Sequence, residues 1–541
     1  MQSPHEGGNK MTIADKISRL RKEKGLSQEA FAEALGVSRQ SVSKWESGSA
    51  LPDTDKIIAM SELFGVSTDF ILKEDSFVSE PEENPEPPAA QTEVKMKKEK
   101  NKKPVKIIAL ILAVILIITA VAIPMHFGSY REAWWALNGG KVKYPYVFVH
   151  GLGGWGEGDG INESIQYWGA GACNLKEYLT AEGYEVYMPS VGPMSSTWDR
   201  ACELYAQITG TTVDYGEAHS KEHNHARYGR TYDTPLVANW GEKINGGQRI
   251  KINLLGHSFG GATVRLLASL LEYGSKEEIV AATGDEISPL FTGGKGDWIH
   301  SVTTLCAPHN GSSLTEVLNK VGGLVGINDT TELLISLCFG IADIGSSASG
   351  VYDFKLDQFG IGEVSESNAE SAIAKVTNSG NDHAAYDLSP DGAAKLNEMI
   401  MTVEDVYYFS YSYSTTKEGS FLKGQVPNGS TLPILSPFAL AMGSFTGTTA
   451  GGISIDETWQ ENDGLVSVIS ARYPFGEPYI DFSVEGIEFV EGNEKEIQKG
   501  IWNVAETKDG DHGKVIGLGG ETDETQEFYI ELFELIDRLE R

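Results

Sequence analysis

Residues 107–125 (IIALILAVILIITAVAIPM) run for nineteen positions without a charge, and a helix of that length nearly matches a hydrocarbon core about 30 Å thick. This stretch reads as one transmembrane helix. It lies more than a hundred residues into the chain and shows no small-residue cleavage site, so it does not read as a removable secretory signal. Just before it, Lys95 to Lys106 carries seven lysines and one glutamate, and positive flanks stay cytoplasmic. The expectation is a single-pass protein of the cell membrane, with residues before the helix cytoplasmic and residues after about 126 extracytoplasmic.

Such a helix cuts the chain into parts that fold separately, and charge separates them as well. The formal charge is −32, from 44 Lys+Arg against 76 Asp+Glu. Residues 1–106 hold 17 basic and 18 acidic side chains, leaving 27 and 58 for residues 107–541. A polyanion-tracking surface needs a basic excess, so any nucleic-acid role must be local. Between Glu74 and Val94 lie seven acidic residues, four prolines and no basic residue, too polar a stretch to bury a core. Residues 74–106 therefore read as an acidic, then lysine-rich, linker. Four cysteines without a CxxC pair do not indicate a redox compartment.

From 12 to 73, apolar residues recur at helical spacing in short blocks: Ile13, Ile17, Leu20; Phe31, Leu35; Val42, Trp45; Ile57, Ile58, Leu63, Phe64. Four or five short helices follow. In LSQEAFAEALGVSRQSVSKWESG, Ser27 is an N-cap, Gly36 ends that helix and Ser38 caps the next. This helix, turn, helix block resembles the Cro/repressor (XRE) type of DNA-binding domain, through S-Q-x-x-F-A from Ser27, L-G-V-S from Leu35 and W-E-x-G from Trp45. The resemblance implies double-stranded DNA as a partner. Gln28 would then position the phosphate backbone, and Arg39, Gln40, Ser41 and Lys44 would approach bases or phosphates. Zero net charge over 12–73, nine basic against nine acidic, also fits a helical adaptor.

Beyond the apolar stretch, strand runs alternate with helical ones: YPYVFVHG, NLKEYLTAEG, YEVYMPSV, KINLLGHS, ATVRLLASLLEYG, WIHSVTTLCAP, DVYYFSYS. Such alternation implies a mostly parallel sheet with helices on both faces. Gly256-His257-Ser258-Phe259-Gly260 directly follows an apolar run and precedes a helix. In that context G-x-S-x-G is the nucleophile elbow of an α/β hydrolase, lifting the Ser258 hydroxyl above the sheet. The turn His150-Gly151-Leu152-Gly153-Gly154 ends the first strand, so the Leu152 and Phe259 N–H groups are the candidate oxyanion donors. Hydrolases of this fold order their triad serine, acid, histidine. His300 and His309 come too early; His512, in a Gly-Asp-His-Gly loop before the last helix, is the candidate base, and Asp463 in Glu461 to Leu465 the candidate acid.

From about Tyr144 onward the chain resembles the large secreted triacylglycerol lipases of Gram-positive bacteria, the group with a zinc-binding extra domain. The shared segments include YWGAG at Tyr167, VGPMSSTWDRACELYAQITGTTVDYGEAHS from Val191, HARYGRTY from His225, SVTTLCAPHNGSSL from Ser301, VYDFKLDQFG from Val351, YDLSPDGAAKLN from Tyr386 and ENDGLVS from Glu461. The hydrolase domain is expected over 140–541, with Ser258, Asp463 and His512 as triad and a lipid or ester as substrate. The resemblance also implies a structural zinc held by Asp199, His219, His225 and Asp382; without it, His219, His223 and His225 are an ambiguous cluster. Relatives bind calcium two and seven residues past the catalytic histidine, where this chain has Lys514 and Gly519, which cannot ligate a hard cation. No calcium is expected there. Between Val321 and Ile344, Leu333, Leu334, Leu337 and Ile341 form one helical stripe and suggest a lid that opens at a lipid surface. The expected function is a membrane-anchored lipase or carboxylesterase with a cytoplasmic DNA-binding head. The alternative is a transmembrane regulator whose hydrolase-like domain senses lipid or ester ligands.

Overall fold

A computed structural model describes residues 12–64 and 143–539, apart from 25, 36, 47–51, 53, 244–246, 283–286, 326–351, 362–368, 378, 421–422 and 484–496. The apolar stretch 107–125 and the lid stripe at 333–341 lie outside the described residues. Among the described residues no helix is long and apolar enough to cross a membrane. The chain divides into two compact units, 1–120 and 121–541.

The first unit holds four helices, α1 (Ile13–Glu23), α2 (Gln28–Ala34), α3 (Arg39–Glu46) and α4 (Thr54–Phe64). The periodic apolar residues meet in one small core around Ile17, Phe31, Val42 and Met60, none of which has exposed surface. Ser27 Oγ accepts from Ala30 N at 3.1 Å and Ser38 Oγ from Ser41 N at 3.2 Å, so the start of both α2 and α3 is fixed by a side-chain cap.

In the second unit seven strands form one sheet, all parallel: β1 (Tyr146–Val149), β2 (Val186–Tyr187), β3 (Ile252–His257), β4 (Ile299–Leu305), β5 (Tyr407–Tyr411), β6 (Tyr479–Phe482) and β7 (Trp502–Ala505), in the order β6-β7-β5-β4-β3-β1-β2. Because side chains alternate along a strand, Val147 and Val149 enter one core while Tyr146 and Phe148 enter the other. Helices α5 (Thr197–Thr209) and α6 (Gly260–Tyr273) contribute Leu204, Ile208, Val264 and Leu271 to the first core. The last helix, α7 (Thr522–Arg538), covers the other face with Tyr529, Leu532 and Phe533. Burial on both faces is what a parallel sheet requires, and it leaves the carboxyl ends of the strands as the open edge where loops can gather.

Candidate active site and metal centre

Strand β3 ends at His257 and α6 begins at Gly260, so the chain reverses within two residues. Ser258 sits at φ +54°, a left-handed conformation costing roughly 1–2 kcal/mol for a residue with a side chain. The flanking glycines make the turn possible. A Cβ on Gly256 would lie 2.4 Å from the Gly260 oxygen, and one on Gly260 would lie 2.1 Å from the Val149 oxygen. Neither position has room for a side chain. The strained residue is held by backbone bonds from Ser258 N to Leu305 O at 2.8 Å and from Gly261 N to Ser258 O at 2.9 Å.

His512 lies between β7 and α7, and Asp463 between β5 and β6. The structure brings them together: His512 Nδ1 donates to Asp463 Oδ2 at 2.8 Å, and His512 N donates to Asp463 O at 2.9 Å. Asp463 Oδ1 also accepts from Leu465 N at 2.9 Å and Val466 N at 2.7 Å. Both carboxylate oxygens are thereby held, and with Nδ1 donating, His512 Nε2 carries the lone pair.

A second imidazole fixes this loop to the elbow. The His257 ring stands 4.9 Å from that of His512, and His257 Nε2 donates to His512 O at 3.0 Å. Its Nδ1 accepts from Tyr167 Oη at 2.6 Å, and the same hydroxyl accepts from Gly151 N at 2.9 Å. Burial, followed by the proximity of His512, pushes His257 well below the usual imidazole range, so the ring is neutral and keeps one tautomer. The chain Gly151, Tyr167, His257, His512 ties the turn after β1 to the loop after β7. Tyr167→Phe would leave a buried N–H and a buried ring nitrogen without partners, and we expect a loss of about 1–3 kcal/mol in chemical denaturation. A midpoint equal to wild type would count against it.

The turn after β1 is shaped by Gly153 N donating to Pro193 O at 3.0 Å and Gly154 N to Gly151 O at 3.2 Å. The backbone N–H groups of Leu152 and Phe259 meet no acceptor among the described residues. The Leu152 side chain packs beside Phe259, Ala262, Ala384 and Leu388. Gly151 approaches Ser258 so closely that a Cβ there would lie 2.8 Å from Ser258 Cβ.

Away from the elbow, Asp199, His219, His225 and Asp382 place one ligand atom each within 4.8 Å of one another. Ser196 caps α5 by accepting from Asp199 N at 3.2 Å, which sets Asp199 in the first turn. His219 Nε2 is 3.2 Å from Asp199 Oδ1 and 3.3 Å from Asp382 Oδ1, and His225 Nε2 is 3.3 Å from Asp382 Oδ2 and 3.8 Å from Asp199 Oδ1. A tetrahedral ion bound at 2.0–2.1 Å needs ligand-to-ligand edges of about 3.3 Å. His225 Nε2 and Asp382 Oδ2 are buried and have no hydrogen-bond partner among the described residues. Orphaned atoms of this kind, facing each other, fit a cation between them. Outer contacts orient the set: His225 Nδ1 donates to Ala226 O at 2.9 Å, Gln358 Nε2 to Asp199 Oδ2 at 2.8 Å, and Trp198 stacks on His219. Burial and the facing Asp382 push Asp199 upward; against burial, the neighbouring imidazoles of His219 and His225 hold Asp382 low. Burial opposes charge on His219 too, but hydrogen bonds to Asp199 and Asp382 carry it up to about 10. His223 stays outside the set, with Nδ1 at 3.2 Å from Ser379 O. Lys514 pairs with Glu524 at 3.0 Å.

In the first unit, Arg39 and Gln40 are exposed at the start of α3, Lys44 is exposed near its end, and Ser41 is half-buried. Arg39 pairs with Glu29 at 2.8 Å across α2 and α3. Gln28, expected at a phosphate, has its Nε2 donating to Glu46 Oε2 at 2.8 Å, and Glu46 is also the partner of Arg21. That amide helps hold α1, α2 and α3 together.

The parallel sheet with its strand, serine, helix elbow defines the α/β hydrolase fold. The profile of the lipase-like C-terminal domain family matches residues 142–541, and a helix-turn-helix profile matches residues 17–71. The chain belongs to the lipase-like family. It is 36% identical over 387 residues to Lipase 2 of Staphylococcus aureus, covering 70% of this chain and 50% of that one; it thus spans about half the length of the curated relatives it matches. Among solved structures, EstA from Clostridium botulinum superposes with a TM-score of 0.63 at 36% identity, covering 74% of this chain and 88% of that one. Lipase 1 from Pelosinus fermentans gives 0.62 at 37%, covering 74% and 100%.

Proposed function

We propose that the second unit hydrolyses carboxylic esters of lipids through Ser258, His512 and Asp463. The observation that carries this reading is the joint placement of a strained serine between two glycines and a histidine whose Nδ1 is held by a buried carboxylate. His512 Nε2 takes the proton as Ser258 Oγ attacks the ester carbonyl, and Asp463 keeps the imidazole in the required tautomer. The Leu152 and Phe259 N–H groups receive the oxyanion. His512 then protonates the leaving alcohol, and water repeats the sequence on the acyl-enzyme. Asp199, His219, His225 and Asp382 would hold zinc, whose contribution is to cross-link α5 to the segments around 219–225 and 382. A set of four protein ligands leaves no open position for substrate. Release of p-nitrophenol from short and long acyl esters tests the reading, and an inactive wild-type chain would overturn it in favour of a lipid or ester sensor.

The first unit, in this proposal, binds double-stranded DNA through α3, with residues 107–125 spanning the cell membrane and placing the hydrolase outside. The exposed Arg39 and Gln40 at the start of α3 support a groove-reading helix. The Gln40→Ala, Lys44→Ala double variant is expected to abolish a mobility shift on DNA selected by the wild type. Failure of any sequence to be enriched by the wild type would reject DNA binding.

A further inference from the structure

Arg200 follows the metal-cage residue Asp199 on α5 and has no exposed surface. Its guanidinium reaches three different segments. Nη1 donates to Gly192 O at 2.8 Å, Nη2 to His150 O, and Nε to Thr263 Oγ1 at 2.9 Å. The guanidinium carbon also stands 4.9 Å from the centre of the Phe259 ring.

These contacts converge on one place. The His150 carbonyl belongs to the turn that carries Leu152 N–H, Phe259 carries the other unengaged N–H, and Thr263 lies in the first turn of the helix the elbow feeds. Among the described residues no carboxylate comes within ion-pairing distance of Arg200; Glu203, one turn on, is taken by Gly192 N and Tyr215 Oη. A buried cation without an ion-pair partner costs several kcal/mol. An apolar side chain of similar length would fill the same space without that cost. The charge and its fork geometry are therefore the features that need a role.

We propose that Arg200 is a positioning residue of the oxyanion hole. It holds the Leu152 turn and the Phe259 ring from a single planar group, and its unneutralised charge favours the negative oxygen formed during acyl transfer. The inference rests on the hydrolase reading above.

The test compares wild type, Arg200→Met and Arg200→Lys in the full chain with its metal bound. End-point labelling with a fluorophosphonate counts competent serines, and kcat and KM for p-nitrophenyl butyrate are expressed per labelled serine. Metal content per chain is measured alongside. Removing one oxyanion donor from a hydrolase costs about 10²–10³ in kcat, and we expect Arg200→Met to lose about 100-fold on the same scale, with KM nearly unchanged. Lysine keeps the charge but not the fork, so Arg200→Lys is expected to recover part of that loss. Equal metal content would separate the effect from damage to the adjacent cage. If Arg200→Met does not fold, Arg200→Lys decides, with an expected loss of about 10-fold on that scale. Wild-type kcat per labelled serine in a folded variant would overturn the proposal. An inactive, unlabelled wild type would overturn the hydrolase reading first and this inference with it.

Discussion

Ser258→Ala is expected to lower kcat for p-nitrophenyl esters by about 10⁶-fold while leaving the melting temperature unchanged or slightly raised. The magnitude follows from nucleophile removal in serine hydrolases, where the remaining parts act only as a unit. The unchanged fold follows from the packing, because the elbow is held by backbone bonds and by glycine contacts rather than by the hydroxyl. Alanine also suffers the same left-handed backbone as serine. Asp463→Asn should cost about 10⁴-fold, since an amide favours the wrong His512 tautomer without moving the ring. Residual turnover within about tenfold of wild type in Ser258→Ala would place the nucleophile elsewhere.

The second large effect concerns the four-residue cage. Stripping the metal with a chelator leaves Asp199 and Asp382 facing each other in a buried space, with only two imidazoles between them. At free metal about 1,000-fold above its Kd, bound metal contributes about 4 kcal/mol that unfolding must overcome. We expect the second unit to melt several degrees lower after chelation and to recover on adding Zn²⁺ but not Mg²⁺, whose preference is for octahedral oxygen ligands. Acid should mimic chelation, because protons compete with the ion for both imidazoles. Calcium should give no shift, with an ammonium at Lys514 already paired to Glu524. A melting curve indifferent to measured metal content would refute the structural role.

The two helical caps, the five strand runs from YPYVFVHG to DVYYFSYS and the elbow were legible because each rests on local chemistry: a capping serine, an apolar run, a glycine pair. The pairing of Asp463 with His512 was readable from chain order and loop context. Strands β6 and β7 escaped because Asp481 in YIDF and Asn503 in WNVA interrupt the apolar run that marks β1 as YVFV. For Gln28 the position on α2 was clear, but the direction of its amide depends on Glu46, eighteen residues away and already bound to Arg21. The Tyr167–His257 link and the three acceptors of Arg200 are likewise contacts between distant segments. Tyr167 stands in a shared motif and Arg200 follows Asp199, so the signal was present without its meaning.

The close approach of Gly256 and Gly260 to neighbouring backbone has a consequence for how this site can change. Those glycines are demanded by the turn, and they would be demanded even if residue 258 carried no hydroxyl. The elbow is thus a mount, and the reactive atom on it is exchangeable. A thiol installed by Ser258→Cys would stand where the hydroxyl stands, on the same left-handed turn. The scaffold fixes where the side chain of residue 258 stands; which atom it presents there is left to a single codon.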